Sequence, residues 1–331
     1  MDIVYNCDDG YVKYTAVSIC SLYENNKNVK ELRVHILGNN ISENSKAKLS
    51  GLAEGYERKI SFYDLCGFEE LVKELAGGYV NAGKFTITAL ARLFAVRLLP
   101  SDIGRILYLD CDTLVLSELS GLWETELSGK VAAMAAEPTI YPEVKERLGL
   151  KVSDPYFNAG MILIDTELWA KEKILENAMD FYKENNGSLP FSDQDLINFA
   201  LKDRIKIVSQ TYNFITNYYY QSFRYLTKNV SWYANCMTKS EWKLAYKAPK
   251  IVHFAGDERP WIKGSFNPYK KEFMHYKSLT PWKDEPLVEG RGLYMLLYHV
   301  MNLMTRLCPG IRKLISGFYY KKFISDGEKN K

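Results

Sequence analysis

The sequence predicts an α/β fold: a single twisted, mostly parallel sheet flanked by helices. Short apolar runs typical of strands alternate along the chain with amphipathic runs typical of helices, and this order favours βαβ units. Neither an internal repeat nor a low-complexity linker interrupts the alternation. A basic, aromatic segment follows it. We therefore expect one α/β domain over residues 1–282 and an amphipathic helical tail over residues 283–331.

The predicted elements follow one another from the N-terminus. Residues 3–5 form the first strand, and a helix with apolar positions from Val17 to Tyr23 follows it. Ser42 lies where the helix after the second strand should begin, and an apolar helix over residues 89–99 precedes the fourth strand. The remaining predicted strands are residues 32–37, 60–63, 105–109, 131–135, 159–164, 205–208 and 250–254.

Composition and cysteine use narrow the class of protein. The 331 residues are 47% hydrophobic and 25% charged, an ordinary globular composition with enough apolar residues for a core. The six cysteines form no CxxC pair, which argues against a zinc site and against a secreted disulfide framework. The N-terminal residues also lack the basic and apolar regions of a signal peptide, so we expect a cytoplasmic protein.

Acidic and imidazole side chains stand where three of the predicted strands end. Asp8 and Asp9 follow the first strand, Asp110 and Asp112 follow the fourth, and His253 is near the end of the last. In open α/β sheets, ligands bind beyond the carboxyl ends of the strands. We therefore expect these groups to converge in one crevice.

The motif Asp110-Cys111-Asp112 is the strongest local signal of chemistry. In an extended chain, residues two apart point the same way, so both carboxylates can face one ligand. Carboxylate oxygens suit Mg²⁺ or Mn²⁺, especially an ion that also holds a diphosphate. The alternative is a pair of solvated acids in a turn. Apolar residues on both sides of the motif favour the strand-end metal site.

Residues 253–261 combine groups that suit a metal ion and a phosphate. His253 ends an apolar strand, Gly256 lets the backbone approach a ligand, and Arg259 supplies several donors for phosphate. An imidazole joining two carboxylates favours Mn²⁺ over Mg²⁺. The alternative for His253 is a structural histidine at a strand end.

Two further segments carry polar groups that suit a sugar. Asn158 offers both a donor and an acceptor, as sugar hydroxyls require. Ser192 is predicted to be the N-cap of a helix whose first turn carries Asp193, Gln194 and Asp195. The helix dipole stabilises acids there as anions, and this capping role is the alternative explanation for these side chains.

In combination and in this order, the motifs resemble glycosyltransferase family 8, which includes bacterial lipopolysaccharide galactosyl- and glucosyltransferases and glycogenin. The resemblance covers residues 1–282: a strand ending in Asp-Asp, an Ala-Arg-Leu helix, DxD, Phe-Asn-Ala-Gly, Asp-Gln-Asp, and His-Phe-x-Gly followed by Pro-Trp. It implies the GT-A nucleotide-diphospho-sugar transferase fold. It also implies retaining transfer of glucose or galactose from a UDP-sugar to a glycan or glycolipid acceptor, with Mn²⁺ as cofactor and Mg²⁺ as the alternative ion.

The resemblance further implies which residues hold the donor and the metal. Asp110, Asp112 and His253 would ligate the ion. The residues implied to contact the donor are Asn6, Asp8, Gly10, Arg92, Asp110, Asp112, Asn158, Asp193, Gly256 and Arg259. Among these, Asn6, Asp8 and Gly10 would hold uracil and ribose, and Gly256 and Arg259 would contact the diphosphate. Arg259 stands where the family usually has lysine, and this exchange keeps the charge but changes its geometry.

The residues implied to act on the sugars form a second group. Asn158 and Asp193 would bind the hydroxyls of the donor sugar. Gln194 would lie beneath the anomeric carbon, and these three residues are the implied catalytic group. Glu137 matches a position where an acid meets the acceptor or the donor sugar.

Two other functions fit parts of the sequence. Residues 110–113 also match the DxDxT nucleophile motif of haloacid-dehalogenase-type phosphatases, although that motif usually opens its domain. A sugar- or nucleotide-binding protein without activity is the second alternative. The intact Asp110, Asp112, Gln194 and His253 argue against it.

The tail differs from the body in charge and in pattern. Residues 291–331 carry a net charge of +6, whereas residues 1–290 carry −3. Residues 292–305 contain no Lys, Arg, Asp or Glu, and they are too few for a spanning helix of about 20 residues. Residues 311–324 then add aromatic side chains with Arg312, Lys313, Lys321 and Lys322.

Apolar residues flanked by lysine and arginine suit a helix that lies in the interface of an anionic membrane. The alternative is a helix that covers the core of the body. Some bacterial members of the resembled family carry a similar segment for membrane attachment. We therefore expect a cytoplasmic protein on the inner face of the cell membrane, with a UDP-hexose, a glycan or lipid-linked acceptor and the membrane as partners, and no nucleic acid.

Overall fold

The computed structural model describes residues 1–78, 80, 87–290, 292–310, 314 and 317. In this part of the chain the strands are β1 (Asp2–Asp8), β2 (Arg33–Asn39), β3 (Lys59–Asp64), β4 (Arg105–Leu109), β5 (Thr113–Val115), β6 (Ala132–Ala136), β7 (Phe157–Asp165), β8 (Ile205–Val208), β9 (Phe214–Ile215) and β10 (Ile251–His253). The helices are α1 (Val12–Asn25), α2 (Glu43–Glu54), α3 (Phe68–Leu75), α4 (Ala91–Leu98), α5 (Ser120–Trp123), α6 (Pro142–Arg147), α7 (Thr166–Lys171), α8 (Ile174–Glu184), α9 (Ser192–Ala200), α10 (Phe223–Asn229), α11 (Tyr233–Cys236), α12 (Lys239–Lys247), α13 (Lys270–Ser278) and α14 (Gly292–Leu307).

Seven strands form a central sheet in the order β3-β2-β1-β4-β7-β6-β8. β1 pairs in parallel with β2 and β4, β2 pairs in parallel with β3, and β6 pairs in parallel with β8. β7 runs antiparallel to both of its neighbours, β4 and β6. The predicted fold class, helices on a mostly parallel sheet, is confirmed.

The central strands are apolar on both faces because helices cover both faces of the sheet. Every residue of β6 is buried, and so are the first six residues of β1. The hydroxyl of Ser18 in α1 lies 3.0 Å from the Tyr5 hydroxyl in β1 and 3.1 Å from the Thr113 hydroxyl in β5. This chain of buried hydroxyls fixes the start of β5 against the central sheet.

A second sheet of three short strands, in the order β5-β10-β9, joins segments that are far apart in sequence. The sequence pattern predicts the strand near residue 253 in the central sheet, but β10 pairs with β5 instead. The chain turns between β4 and β5 because the backbone N–H and the hydroxyl of Thr113 both donate to the Asp110 carbonyl. Phe254 N–H donates to the Asp112 carbonyl at 2.9 Å, so the ends of β4 and β10 lie side by side.

The C-terminal part of the described chain packs against this body. Val288 pairs with Ile262, and its N–H donates to the Trp261 carbonyl at 2.9 Å. α14 follows and buries Met295, Asn302 and Thr305. None of the helices in the described ranges is long and apolar enough to cross a membrane. Arg312, Lys313, Lys321 and Lys322, singled out by the sequence analysis, lie outside the described residues.

Candidate active site

A cavity of about 600 Å³ lies at the carboxyl ends of β1 and β4 and extends to the small sheet. The residues singled out in the sequence that line it are Asn6, Asp8, Arg92, Asp110, Asp112, Glu137, Asn158, Asp193, Gln194, His253, Gly256 and Arg259. Gly10 lines an adjoining cavity of about 720 Å³, which shares Asp8 and Tyr11 with the first. The cavity thus brings together residues that are far apart in the chain: Asn6 and Arg259 are separated by 253 positions.

Asp110, Asp112 and His253 form a compact group of potential metal ligands. Their ligand atoms all lie within 4.8 Å of one another. Nε2 of His253 lies 3.2 Å from an Asp112 carboxylate oxygen and 3.6 Å from one of Asp110. Two carboxylates and one imidazole are ligand types that a divalent transition metal accepts. The three residues therefore fit a divalent metal ion.

The protonation of this group follows from its neighbours. Burial would raise the pKa of Asp112, but His253 and Arg259 outweigh it and hold that pKa at about 2. Burial would lower the pKa of His253, but Asp112 and Asp110 raise it above its ordinary value. A bound cation would reverse the second effect, because it repels the imidazolium proton.

Two residues that the sequence analysis did not connect with His253 hold its ring. Nδ1 of His253 lies 3.1 Å from Oδ1 of Asn213, so Nδ1 carries the proton and Nε2 is left as the ligand atom. Asn213 in turn donates to Oδ1 of Asn158 at 2.9 Å. A Cβ on Gly160 would lie 2.3 Å from the His253 ring, so only glycine leaves room for it. Asn213 carried no signal in the sequence, since it follows a helical turn in a segment with no motif.

The guanidinium of Arg92 lies beneath the metal-ligand group and joins it to α9. One of its nitrogens lies 2.8 Å from Asp110 and another lies 2.8 Å from Asp193. The remaining guanidinium nitrogen, Nη1, donates to the Ala159 carbonyl at 2.8 Å, and the guanidinium group lies over the Tyr108 ring. Arg92 therefore positions Asp110 and Asp193 at the wall of the cavity, which it also lines.

Gln194 is held in one orientation. Its side-chain carbonyl accepts from the Ala159 N–H and from Nδ2 of Asn158, both at 3.1 Å. A backbone N–H can only donate, so it fixes which end of the amide is the oxygen. The amide nitrogen donates to the Tyr156 hydroxyl at 3.2 Å. Gln194 and Asn158 thus form one hydrogen-bonded unit at the edge of the cavity.

The predicted N-cap at Ser192 is wrong. Ser192 has a φ of 44°, in the left-handed region, and its buried hydroxyl has no hydrogen-bond partner among the described residues. The turn is closed instead by Asp195, whose carboxylate accepts from Phe191 N–H at 2.8 Å and from the Tyr156 hydroxyl at 2.6 Å. Ser192 lies between Phe191 and Asp193, which both line the cavity, and strained residues cluster at functional sites.

The two acids of α9 are less acidic than the helix dipole predicts. Burial raises the pKa of Asp193 to about 6, although Arg92 opposes this shift. Burial raises the pKa of Asp195 to about 7, although hydrogen bonds from Tyr156 and Phe191 oppose it. Desolvation therefore outweighs the favourable field at the start of the helix.

Glu137 lies at the far side of the cavity, with its carboxylate buried. One oxygen accepts from the Tyr218 hydroxyl at 2.9 Å and from Thr139 N–H at 3.0 Å. The other lies 3.5 Å from Nδ2 of Asn158. Tyr218 was not singled out in the sequence, where it is one of 24 tyrosines.

At the end of β1, neighbouring acids have different surroundings. Asp8 lines the cavity and accepts from Tyr11 N–H at 2.9 Å. Asp9 instead accepts from the backbone and hydroxyl of Ser42 at the start of α2, so it does not join the cavity as expected. Asn6 donates to the Thr88 carbonyl at 2.7 Å, while its buried side-chain oxygen has no partner in the described chain.

The loop after β10 closes the cavity on one side. Gly256 has a φ of 109°, and a Cβ there would lie 3.0 Å from Asn217, so the position requires glycine. The Arg259 side chain donates to the Tyr11 hydroxyl at 2.6 Å and to the Gly256 carbonyl at 3.1 Å, and it lies 3.8 Å from Asp112.

Similarity to known proteins agrees with this geometry. The model of the family described as Glycosyl transferase family 8 matches residues 2–264. General stress protein A of Bacillus subtilis is 27% identical over 285 residues, which are 85% of this chain and 94% of that protein. Lipopolysaccharide 1,2-glucosyltransferase of Escherichia coli is 26% identical over 337 residues, which are 97% of this chain and 92% of that protein.

Among solved structures, the galactosyltransferase LgtC in complex with donor and acceptor sugar analogs has the same architecture. The TM-score is 0.69 and the identity is 25%, over 85% of this chain and 96% of LgtC. The expected GT-A fold is confirmed by this similarity.

Proposed function

The chain belongs to glycosyl transferase family 8 and is a hexosyltransferase, and on that premise we propose that it moves glucose or galactose from a UDP-sugar to a glycan or glycolipid with retention of configuration. Cell-surface polysaccharide or lipopolysaccharide synthesis is the proposed setting, since two similar proteins are named as a lipopolysaccharide glucosyltransferase and a galactosyltransferase. The observation that carries the proposal is the group of Asp110, Asp112 and His253 in a cavity lined with amide and carboxylate side chains.

Asp110, Asp112 and His253 would hold Mn²⁺, with Mg²⁺ as the alternative. The bound ion would neutralise charge on the diphosphate as it leaves. Arg259, which faces the same space beside Asp112, would add a second cationic contact. Gly256 would let the backbone approach the diphosphate closely. The side-chain oxygen of Asn6 is a suitable acceptor for an N–H of the uracil ring.

Two routes can retain the configuration: a covalent glycosyl-enzyme, as in retaining glycosidases, or attack from the face that UDP leaves. A covalent route needs a free carboxylate beneath the anomeric carbon. Gln194 is a poor nucleophile, and its carbonyl already accepts two hydrogen bonds. Asp193 is paired with Arg92, and Asp195 is bonded to Tyr156 and Phe191. These contacts support front-face attack, with Asn158 and Asp193 binding sugar hydroxyls.

A third cavity, of about 360 Å³, adjoins the first and shares Thr139, Ile140, Phe191 and Asn217 with it. Its walls include the aromatic rings of Tyr141, Tyr225 and Trp232. Rings with a polar edge suit carbohydrate. We assign this side of the site to the acceptor, with Glu137 between the acceptor and the donor sugar.

The outer face of α14 supports association with a membrane surface. Its exposed apolar side chains are Leu293, Leu296, Leu297, Val300, Leu303, Met304 and Leu307. Such a face next to a basic segment suits the interface of an anionic bilayer. We therefore propose a peripheral location on the inner face of the cell membrane, and we keep residues 1–282 and 283–331 as catalytic and membrane-associating parts.

The test of the proposed function is a screen of UDP-sugars for hydrolysis and transfer. We expect release of UDP from UDP-glucose or UDP-galactose that Mn²⁺ stimulates and EDTA removes. Full activity in EDTA would contradict the metal assignment. Binding of UDP without turnover of any UDP-sugar would instead favour the inactive binding protein. Family membership leaves no support for the phosphatase alternative.

A further inference from the structure

Helix α14 buries two polar side chains, Asn302 and Thr305, beside Met295, whereas the side chains on its outward face are mostly apolar. The side chains of Leu297, Val300 and Leu303 are about half exposed, whereas Asn302 is completely buried. A helix that only covered a core would show the opposite arrangement. The inner face of α14 therefore serves a purpose other than apolar packing.

That inner face makes hydrogen bonds to two consecutive acids of the loop after β10. Nδ2 of Asn302 donates to Glu258 at 2.6 Å, and Nδ1 of His299 lies 3.0 Å from its other carboxylate oxygen. The hydroxyl of Tyr294 donates to Asp257. These three residues stand eight positions apart at most and lie on one side of the helix. Glu258 is only 6% exposed, and its carboxylate also accepts from the Tyr220 hydroxyl at 3.3 Å, so α14 supplies two of its three side-chain contacts among the described residues.

The same loop carries the two residues that we assign to the diphosphate, Gly256 and Arg259. Tyr298 of α14 also reaches it: its hydroxyl lies 3.4 Å from the place where a Cβ on Gly256 would be. From the cavity side, Arg259 is held by Tyr11 and lies close to Asp112. The loop is thus fixed by the metal-ligand group in front and by α14 behind.

We propose that Glu258 is a positioning residue for the donor, and that α14 sets donor affinity by holding Glu258 in place. The inference rests on the proposed function, because it assumes that the loop binds the diphosphate of a UDP-sugar. Without Asn302 and His299, the buried carboxylate of Glu258 would keep only the longer bond from Tyr220, so it would turn towards water and move the loop that carries Gly256 and Arg259. Donor binding would weaken, while the metal ligands stay in place.

The test compares Asn302→Ala and Glu258→Ala with the wild-type full chain, using UDP and the UDP-sugar that the wild type hydrolyses. We expect the KM for the UDP-sugar and the Kd for UDP in Mn²⁺ to rise about tenfold, with a smaller change in kcat. Glu258→Gln should recover part of the affinity, because an amide can still accept one of the bonds. Asn185→Ala is the matched control, since that side chain donates to the Phe181 carbonyl at the end of α8.

Tyr294→Phe keeps the test decisive if the buried substitutions unfold the protein. Tyr294 is 41% exposed, and the change removes only the hydroxyl that reaches Asp257. A severalfold rise in the Kd for UDP at unchanged melting temperature would support the inference. Folded variants that all bind UDP as the wild type does would overturn it. A wild-type protein that binds no UDP would instead refute the proposed function.

Discussion

At the residue scale, the charges of the site are arranged as a chain rather than as separate pairs. Arg92 lies between Asp110 and Asp193, and His253 lies between Asp110 and Asp112. Asp110, Asp112 and Asp193 therefore each lie beside a guanidinium or an imidazole, which offsets the cost of burying a carboxylate. Removing a single member changes the surroundings of the next one.

Asp112→Asn should lower turnover about 100-fold or more and abolish stimulation by Mn²⁺, because an amide replaces a charged ligand. Steady-state UDP release with and without Mn²⁺ measures the effect, and circular dichroism checks the fold. Asp9→Asn is the matched control, since Asp9 bonds to Ser42 outside the cavity. Wild-type turnover of Asp112→Asn would refute the proposed metal site.

Gln194→Ala should slow hexose transfer by about 10- to 100-fold without abolishing it, because the residue supports the site but forms no bond to the sugar. The product should stay α-linked, as proton NMR of the purified glycoside would show. Mass spectrometry of wild-type protein trapped with donor tests the alternative route. A glycosyl adduct on Asp193 or Asp195 would contradict front-face attack.

The stability of the protein should depend on the ionisation of Asp195. Its pKa in the fold, about 7, lies above the ordinary 3.8, so the folded state binds this proton more tightly than the unfolded chain. The resulting stabilisation is complete below the unfolded pKa and is lost as the pH rises through 7. The unfolding free energy should fall by about 3 kcal/mol from this group between pH 5 and 8.

Urea denaturation of the wild type and of Asp195→Asn at pH 5, 6, 7 and 8 measures this contribution. The variant should show a shallower decline with pH, whatever its stability at any single pH. Asp193 still titrates in both proteins, since its pKa is raised to about 6. Identical slopes for the two proteins would contradict the assignment to Asp195.

At the scale of elements, small pieces of structure place the chemistry, and the large sheet supports them. The three-residue strands β5 and β10 bring Asp112 beside His253. The first turn of α9 places Asp193 on the cavity, while Asp195 points back and bonds to Phe191. α14 presents polar side chains to the loop after β10 and apolar ones outwards.

Replacing Leu297 and Leu303 together by aspartate should weaken vesicle binding without affecting the hydrolysis of the donor. Both side chains are exposed on α14, so the change removes apolar surface and adds charge that an anionic bilayer repels. Sedimentation with phosphatidylglycerol-containing vesicles measures binding, and Lys243→Asp, on another helix, controls for the added charge. Unchanged sedimentation of the double variant would exclude this face as the membrane contact.

At the scale of the whole molecule, the cavity lies where the central sheet meets the small sheet, and the tail joins the body behind it. Val288 pairs with Ile262, and α14 bonds to Glu258, so the tail touches the body before the chain reaches its basic end. We therefore expect donor binding to depend on the inner face of α14, and membrane binding to depend on its outer face and on the basic end of the tail.

A chain ending at residue 310 should keep wild-type hydrolysis of the donor and lose most salt-sensitive vesicle binding, because it retains α14 and lacks Arg312, Lys313, Lys321 and Lys322. A chain ending at residue 290 lacks α14 and should bind UDP more weakly. Comparing UDP affinity and vesicle binding of the two chains separates the roles. Equal UDP affinity in both would show that α14 does not affect the donor site.

The sequence alone determined the fold class, the order of the strands along the chain and the groups of polar residues at their ends. Alternation of strand and helix patterns is a local property, and it predicted β4 and β8 with their observed bounds. The order of the motifs likewise indicated Asp110, Asp112 and His253 as metal ligands. Only the fold could show that these three residues lie close together.

Contacts between distant segments were decided by the tertiary structure. The pairing of β5 with β10, the support of His253 by Asn213 and the bond from Asn302 to Glu258 join residues 40 to 140 positions apart. Burial also reversed an expectation based on the local sequence. The start of a helix favours ionised carboxylates, but desolvation raises the pKa of Asp193 and Asp195. Dielectric surroundings and hydrogen-bond partners depend on what packs against a residue, and no local pattern contains that information.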